Sequence, residues 1–312
     1  VTINFPEPTL VPVNQIRLAV HEAGDPEGAP IVLCHGFPEL AFSWRHQIRP
    51  LADAGYHVMA PDQRGYGRSD IPEAVEDYDI HHLCGDMVGL LDAKDVEQAV
   101  FVGHDWGAIV VWNLATLHPD RVRAVINLSV PFMPRAPADP VSIWERRFGG
   151  DFYIVHFNRQ PGVADTAFAK NTRQFLTNLY RTKTWEHPVE RAPGMGMINM
   201  SLEETPRGEA FMSGEELDYF VDAFERTGFT GGINWYRNFT RNWETTEGAP
   251  QKVELPALMI YGEHDAVGRS ENLQEHVPNV DVHVLGCGHW IQQERPEETN
   301  AIILDWLKKQ GI

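Results

Sequence analysis

Apolar and polar positions follow two kinds of pattern along the chain. Over residues 1–132, short apolar runs alternate with stretches whose apolar positions recur every three or four residues. Strands are expected at 15–21, 31–34, 57–60, 100–102 and 122–130, and helices at 43–54, 82–91 and 109–117. The middle strands are apolar throughout rather than alternating, the pattern of strands buried on both faces of a mainly parallel sheet. Over residues 133–250 that alternation stops, leaving helical-looking stretches rich in aromatic residues and Met. Residues 251–312 resume it, with strands at 255–262 and 280–285, a short helix at 271–276 and an amphipathic helix at 297–309. The expected fold class is α/β, a parallel sheet covered by helices on both faces. A helical cap at 133–250 would interrupt a core made of 1–132 and 251–312.

The strand at 100–102 runs into Gly103-His104-Asp105-Trp106-Gly107, and a helical pattern follows at once. Strand, tight turn and helix around Gly-x-Asp-x-Gly fit an elbow that presents its central residue at the carboxyl edge of the sheet. Here that residue is Asp105. A carboxylate is already ionised at neutral pH, attacks acyl carbon poorly, and is suited to displacing a leaving group from sp3 carbon to give an ester that water must cleave. On its own the pentapeptide fits equally an ordinary turn with Asp as helix N-cap.

Two later positions sharpen the choice. Asp265 follows the strand at 255–262, and His289 follows the one at 280–285. Catalytic groups in open parallel sheets lie beyond the carboxyl ends of strands, and the order nucleophile, acid, histidine is a recurring one. Glu263 is the rival acid, disfavoured because it lies nearer the strand end. No dinucleotide fingerprint, phosphate loop or His-Glu-x-x-His pattern occurs, so no cofactor and no metal are expected.

Composition changes the picture only by exclusion. At 312 residues and 43% hydrophobic, the chain can bury a large core. A formal charge of -18 opposes nucleic acid and anionic membranes as partners. The scattered Cys34, Cys84 and Cys287 form neither a disulfide framework nor a zinc set, which favours a reducing compartment. With no long apolar run and no basic-then-apolar leader, neither membrane span nor signal peptide is expected, and the location would be cytoplasmic. A monomer and a homodimer fit equally well.

Taken together, His35-Gly36-Phe37-Pro38, Asp62-x-Arg64-Gly-x-Gly67-x-Ser69, Gly103-x-Asp105-x-Gly107, Asp265 and Gly288-His289 resemble the epoxide hydrolases of the α/β-hydrolase fold, particularly the soluble group. The resemblance covers nearly the whole chain. It implies an oxyanion hole from the backbone amides of Phe37 and Trp106, and a cis Phe37-Pro38 bond. The 62–70 loop is read as structural. An epoxide oxygen leaves as an alkoxide, so donors must be aimed at it. The family's tyrosine sites resemble the surroundings of Tyr153 and Tyr236, whereas Tyr180 and Tyr219 lack that context. The expected substrate is a small apolar epoxide, hydrolysed with water to a vicinal diol. Trp235, Met195 and Met197 are candidates for lining its tunnel, although cap packing explains such residues as well. A dehalogenase would share the Asp nucleophile, but haloalkane dehalogenases commonly have Asn where Phe37 stands, and fluoroacetate dehalogenases Arg where Trp106 stands. A catalytically silent binding protein on this fold is the alternative from another class.

Overall fold

The structure, a computed structural model, describes residues 5–186 and 196–312. An eight-stranded sheet runs β1 (Thr9–Val13), β2 (Ile16–Ala23), β4 (Tyr56–Asp62), β3 (Ala29–Cys34), β5 (Ala99–His104), β6 (Val122–Leu128), β9 (Ala257–Gly262), β10 (Val280–Leu285) from edge to edge. The β1–β2 and β2–β4 pairs are antiparallel, and from β4 to β10 the pairs are parallel.

Alternate residues of the central strands point to opposite faces, as a period of two requires. In β3, Ile31 and Leu33 join one apolar cluster while Val32 and Cys34 join the other; in β5, Val100 and Val102 face one side and Phe101 the opposite. Both sides are apolar because both are covered. Trp44, Ile48, Leu51, Ile303, Trp306 and Leu307 close one face. The other receives Met87, Leu90 and Leu91 from helix Ile80–Ala93, and Val110, Val111 and Leu114 from helix Trp106–Leu117.

Between β6 and β9 the regular elements among the described residues are short helices and a ribbon of two-residue strands, β7 (Arg181–Thr182) and β8 (Glu209–Ala210), that the sequence pattern did not predict. Its interior is aromatic: Phe168 stacks on Phe175 at 3.9 Å and Phe224 on Phe229 at 4.6 Å. The 62–70 loop seats this layer. Asp62 accepts the amides of Ala41 and Arg68, while Arg64 and Gly67 offer carbonyls to the side chains of Trp235 and Arg226.

One expectation needs correction. The helix at 43–54 is a single 3-10 turn, Ala41–Trp44, followed by a separate helix, Ile48–Asp53. Pro50 has no amide hydrogen to donate and its ring clashes with the preceding turn, so it is tolerated only near a helix start. The edge strand β1 was not anticipated. It carries Pro12 and an exposed Leu10, and an edge is where proline fits a sheet.

Candidate active site

Strand order reverses at β3: the chain passes from it to β4 on one side and later to β5 and β6 on the other. Such a reversal leaves a crevice beyond the carboxyl ends of the two strands where it occurs. The segments entering it are His35-Gly36-Phe37 after β3 and Asp105 after β5.

Asp105 has φ 52 and ψ -120, a left-handed conformation strained for any residue with a side chain. Tight packing enforces it. A Cβ on Gly107 would lie 1.9 Å from the Cys34 carbonyl oxygen, and one on Gly36 would lie 2.5 Å from Asp105 Oδ1. Glycine at both positions lets the two loops touch, and the Phe37 amide then donates to Asp105 Oδ1 at 2.9 Å. Phe37-Pro38 is cis, as the resemblance implied. Trp106 opens the next helix, so its amide is among the donors that a helix leaves unpaired.

The other carboxylate oxygen faces a histidine. Asp105 Oδ2 lies 3.6 Å from His289 Nε2, and His289 Nδ1 meets the two Asp265 oxygens at 3.0 and 3.1 Å. Asp265 also accepts from Ser129 Oγ at 2.6 Å and the Val267 amide at 2.9 Å. Its side chain is 1% exposed, against 57% for Glu263, so the rival acid points to solvent. Burial opposes charge on both partners, but the pair overrides it. Asp265 is held well below the ordinary carboxylate range by His289 and its donors, and His289 well above the ordinary imidazole value by the carboxylates of Asp265 and Asp105.

Tyr153 and Tyr236 approach from the helical layer, on helices Tyr153–Arg159 and Thr230–Arg237. Their rings lie 5.8 Å apart, and Tyr236 makes edge contacts with Phe37 at 5.3 Å and Trp106 at 5.2 Å. Burial, and after it the nearby charge of Asp105, raises both phenol pKa values. Tyr180 instead donates to the Pro38 carbonyl and Tyr219 stacks on Phe42, so each is occupied elsewhere.

The remaining expected residues take varied positions. Trp235 is wholly buried, donates its indole N–H to Arg64 at 3.1 Å and abuts Trp106 edge-on, an arrangement of packing. Met197 is partly buried against the large core cluster, and Met195 lies outside the described residues. Among the described residues, no group of three or more His, Cys, Asp or Glu side chains could hold a metal ion.

Sequence reasoning missed four supporting residues. Glu39, fully buried, accepts from the Gly36 amide at 2.8 Å, lies 2.7 Å from His104 Nδ1, and takes the Gln292 and Gln293 amides on its other oxygen. His104 Nε2 in turn lies 2.8 Å from the His289 carbonyl. Ser129, left-handed at φ 71, sits just past β6; the expected strand at 122–130 ran over it, so the position-after-a-strand signal that found Asp265 passed it by. The fourth is Glu294, whose carboxylate accepts the amides flanking His289.

This frame is that of a hydrolase built on an α/β sheet, and a profile of the alpha/beta hydrolase fold family matches residues 29–296. Epoxide hydrolase A of Mycobacterium tuberculosis is 49% identical over 97% of both chains. The bifunctional epoxide hydrolase 2 of Mus musculus is 40% identical over 95% of this chain and 54% of its own length. The crystal structure of epoxide hydrolase A from Mycobacterium thermoresistibile superposes with a TM-score of 0.90 at 46% identity, covering 97% of this chain and 98% of that one. An epoxide hydrolase from Vigna radiata superposes at 0.87 with 37% identity over 99% of each. The chain belongs to the epoxide hydrolases of the α/β-hydrolase fold.

Proposed function

We propose that this epoxide hydrolase converts a small apolar epoxide to a vicinal diol through an ester on Asp105. The observation that carries the reading is the divided duty of one carboxylate: Oδ1 engaged by the Phe37 amide, Oδ2 turned towards His289. Oδ2 attacks a ring carbon from behind. The carbon–oxygen bond breaks, its electron pair passes to the epoxide oxygen, and that oxygen takes a proton from Tyr153 or Tyr236. Raised phenol pKa values keep both tyrosines protonated at neutral pH, as donors must be. The tyrosinate regains its proton from the imidazolium of His289.

Esterification removes the negative charge of Asp105 and with it part of what held the His289 proton. Neutral His289, oriented by Asp265, then takes a proton from water. The resulting hydroxide adds to the ester carbonyl, whose oxygen is Oδ1, and the amides of Phe37 and Trp106 hold the oxyanion. Collapse expels the diol alkoxide, which receives the proton from His289, and the carboxylic acid left on Asp105 passes its proton to His289 and restores the starting pair. Binding falls to the apolar surroundings, with Met195 and Met197 as candidate lining, and residues 133–250 act as the cap over a core of 1–132 and 251–312. Cys34, Cys84 and Cys287 are buried free thiols, which supports a cytoplasmic location; no helix among the described residues is long and apolar enough to cross a membrane.

A single turnover tests the covalent step. With enzyme in excess over substrate, in water enriched with heavy oxygen, the diol should emerge mostly unlabelled and the label should appear in the peptide containing Asp105. Fully labelled diol with no label on Asp105 would mean direct hydration and would falsify the nucleophile.

A further inference from the structure

His289 lies in an irregular turn between β10 and the short helix Ile291–Glu294, yet its two ring nitrogens must meet two carboxylates at once. Something outside the triad must hold that turn. Glu294 takes the backbone amides on both sides of the histidine: Gly288 N donates to Oε2 at 3.0 Å and Trp290 N to Oε1 at 3.0 Å. The intervening carbonyl, that of His289, is gripped from below by His104 at 2.8 Å. Oε2 also accepts the hydroxyl of Thr182, which belongs to β7 in the cap. The fit is close, since a Cβ on Gly288 would lie 3.0 Å from Glu294 Oε1 and 3.1 Å from the ring of Trp185, another cap residue.

We propose that Glu294 is a positioning residue for His289, and that through Thr182 it ties the placement of the catalytic base to the seating of the cap. The proposal rests on the reading of His289 as the base of the second half-reaction. Both amides bracketing His289 end on one carboxylate, so any rotation of that carboxylate turns the peptide that carries the imidazole. A cap that lifts draws Thr182 away and frees the carboxylate to turn. Glu294 reaches neither Asp105 nor the tyrosines with a hydrogen bond, so its influence falls on ester hydrolysis and not on ring opening.

The test separates the two half-reactions per titrated active site, using a styrene-type epoxide in rapid-mixing single turnovers. Glu294→Gln keeps the shape of the side chain but sets an amide donor against one backbone N–H. Ester breakdown should slow by about ten- to a hundredfold, the scale expected when a reacting group is misplaced by about an ångström, while alkylation keeps its rate. Thr182→Val, which removes only the cap's hydroxyl, should slow the same half by a smaller factor. A side chain that merely supports the fold would lower the number of active sites without changing the ratio of the two rates. Equal slowing of both halves, or no change in either, overturns the proposal; if Glu294→Gln does not fold, the Thr182→Val ratio decides in the same way. His289→Gln serves as control. If the ester fails to accumulate there, the covalent reading itself falls and this proposal with it, whereas accumulation there and none in Glu294→Gln refutes the positioning role alone.

Discussion

Replacing Asp105 by Asn imitates, in charge, what esterification does to the carboxylate, and it isolates how far the nucleophile controls the base. His289 Nε2 lies 3.6 Å from Asp105 Oδ2, and the side chains are 23% and 15% exposed, so the pair is neither dry nor fully solvated. Coulomb's law at that separation gives about 1 kcal/mol with the dielectric constant of water and about 5 kcal/mol at an effective constant of ~20. That attraction to the charged ring is lost in Asp105→Asn, so the imidazole pKa should fall. The sign follows from charge: a carboxylate favours imidazolium, so its loss lowers the pKa and yields the neutral base at a lower pH. Titration of the His289 ring by NMR in both proteins measures the shift directly. The same logic places the acid limb of the ester-hydrolysis rate below the pKa of the free enzyme. An unchanged or higher imidazole pKa in Asp105→Asn would show that Asp265 alone sets the charge of His289, and the release of the base on alkylation would have to be abandoned.

Two further outcomes are expected. Tyr153→Phe and Tyr236→Phe should each slow alkylation, by about a hundredfold or more for loss of one aimed donor, and the double variant should nearly abolish it; undiminished alkylation in the double variant would exclude the tyrosines as donors to the epoxide oxygen. Glu39 carries its charge in a buried site: burial works against it, but His104 and the Gly36 amide pull its pKa down from 4.5 to about 2. Glu39→Ala should therefore cost about 3–5 kcal/mol near neutral pH in urea unfolding. A depressed carboxylate stabilises above its unfolded pKa and stops doing so as pH falls through its folded one, so the gap between wild type and variant should close between about pH 4.5 and 2. A gap constant across that window would mean that Glu39 acts by packing rather than by charge.

What could be read from the chain by itself was what depends on order and on local period. The βαβ alternation, the helical stretch between β6 and β9, and the succession Asp105, Asp265, His289 each just past a strand are properties of neighbouring residues, because a parallel sheet with covered faces dictates the apolar runs and turn glycines mark where strands stop. Resemblance carried Phe37, Tyr153 and Tyr236, since no periodicity distinguishes a phenol aimed at a substrate from one packed in a cap, as Tyr180 and Tyr219 are. The tertiary structure alone decided the rest. It supplied the reason that Asp265, already favoured by its position, and not Glu263 two residues away meets His289: one is buried and the other exposed. It divided the expected helix at 43–54 into a 3-10 turn and a separate short helix, a break that Pro50 marked and the apolar period ran across. It also joined Glu39 to His104, 65 residues apart, and Ser129 to Asp265, 136 apart. Such bonds leave no trace in local pattern, because a polar residue's worth is set by what the fold brings to meet it. Glu294 is the sharpest case: it stands within a polar run, Gln292-Gln293-Glu294-Arg295, that reads as ordinary surface until folding turns its carboxylate back onto the two amides around His289.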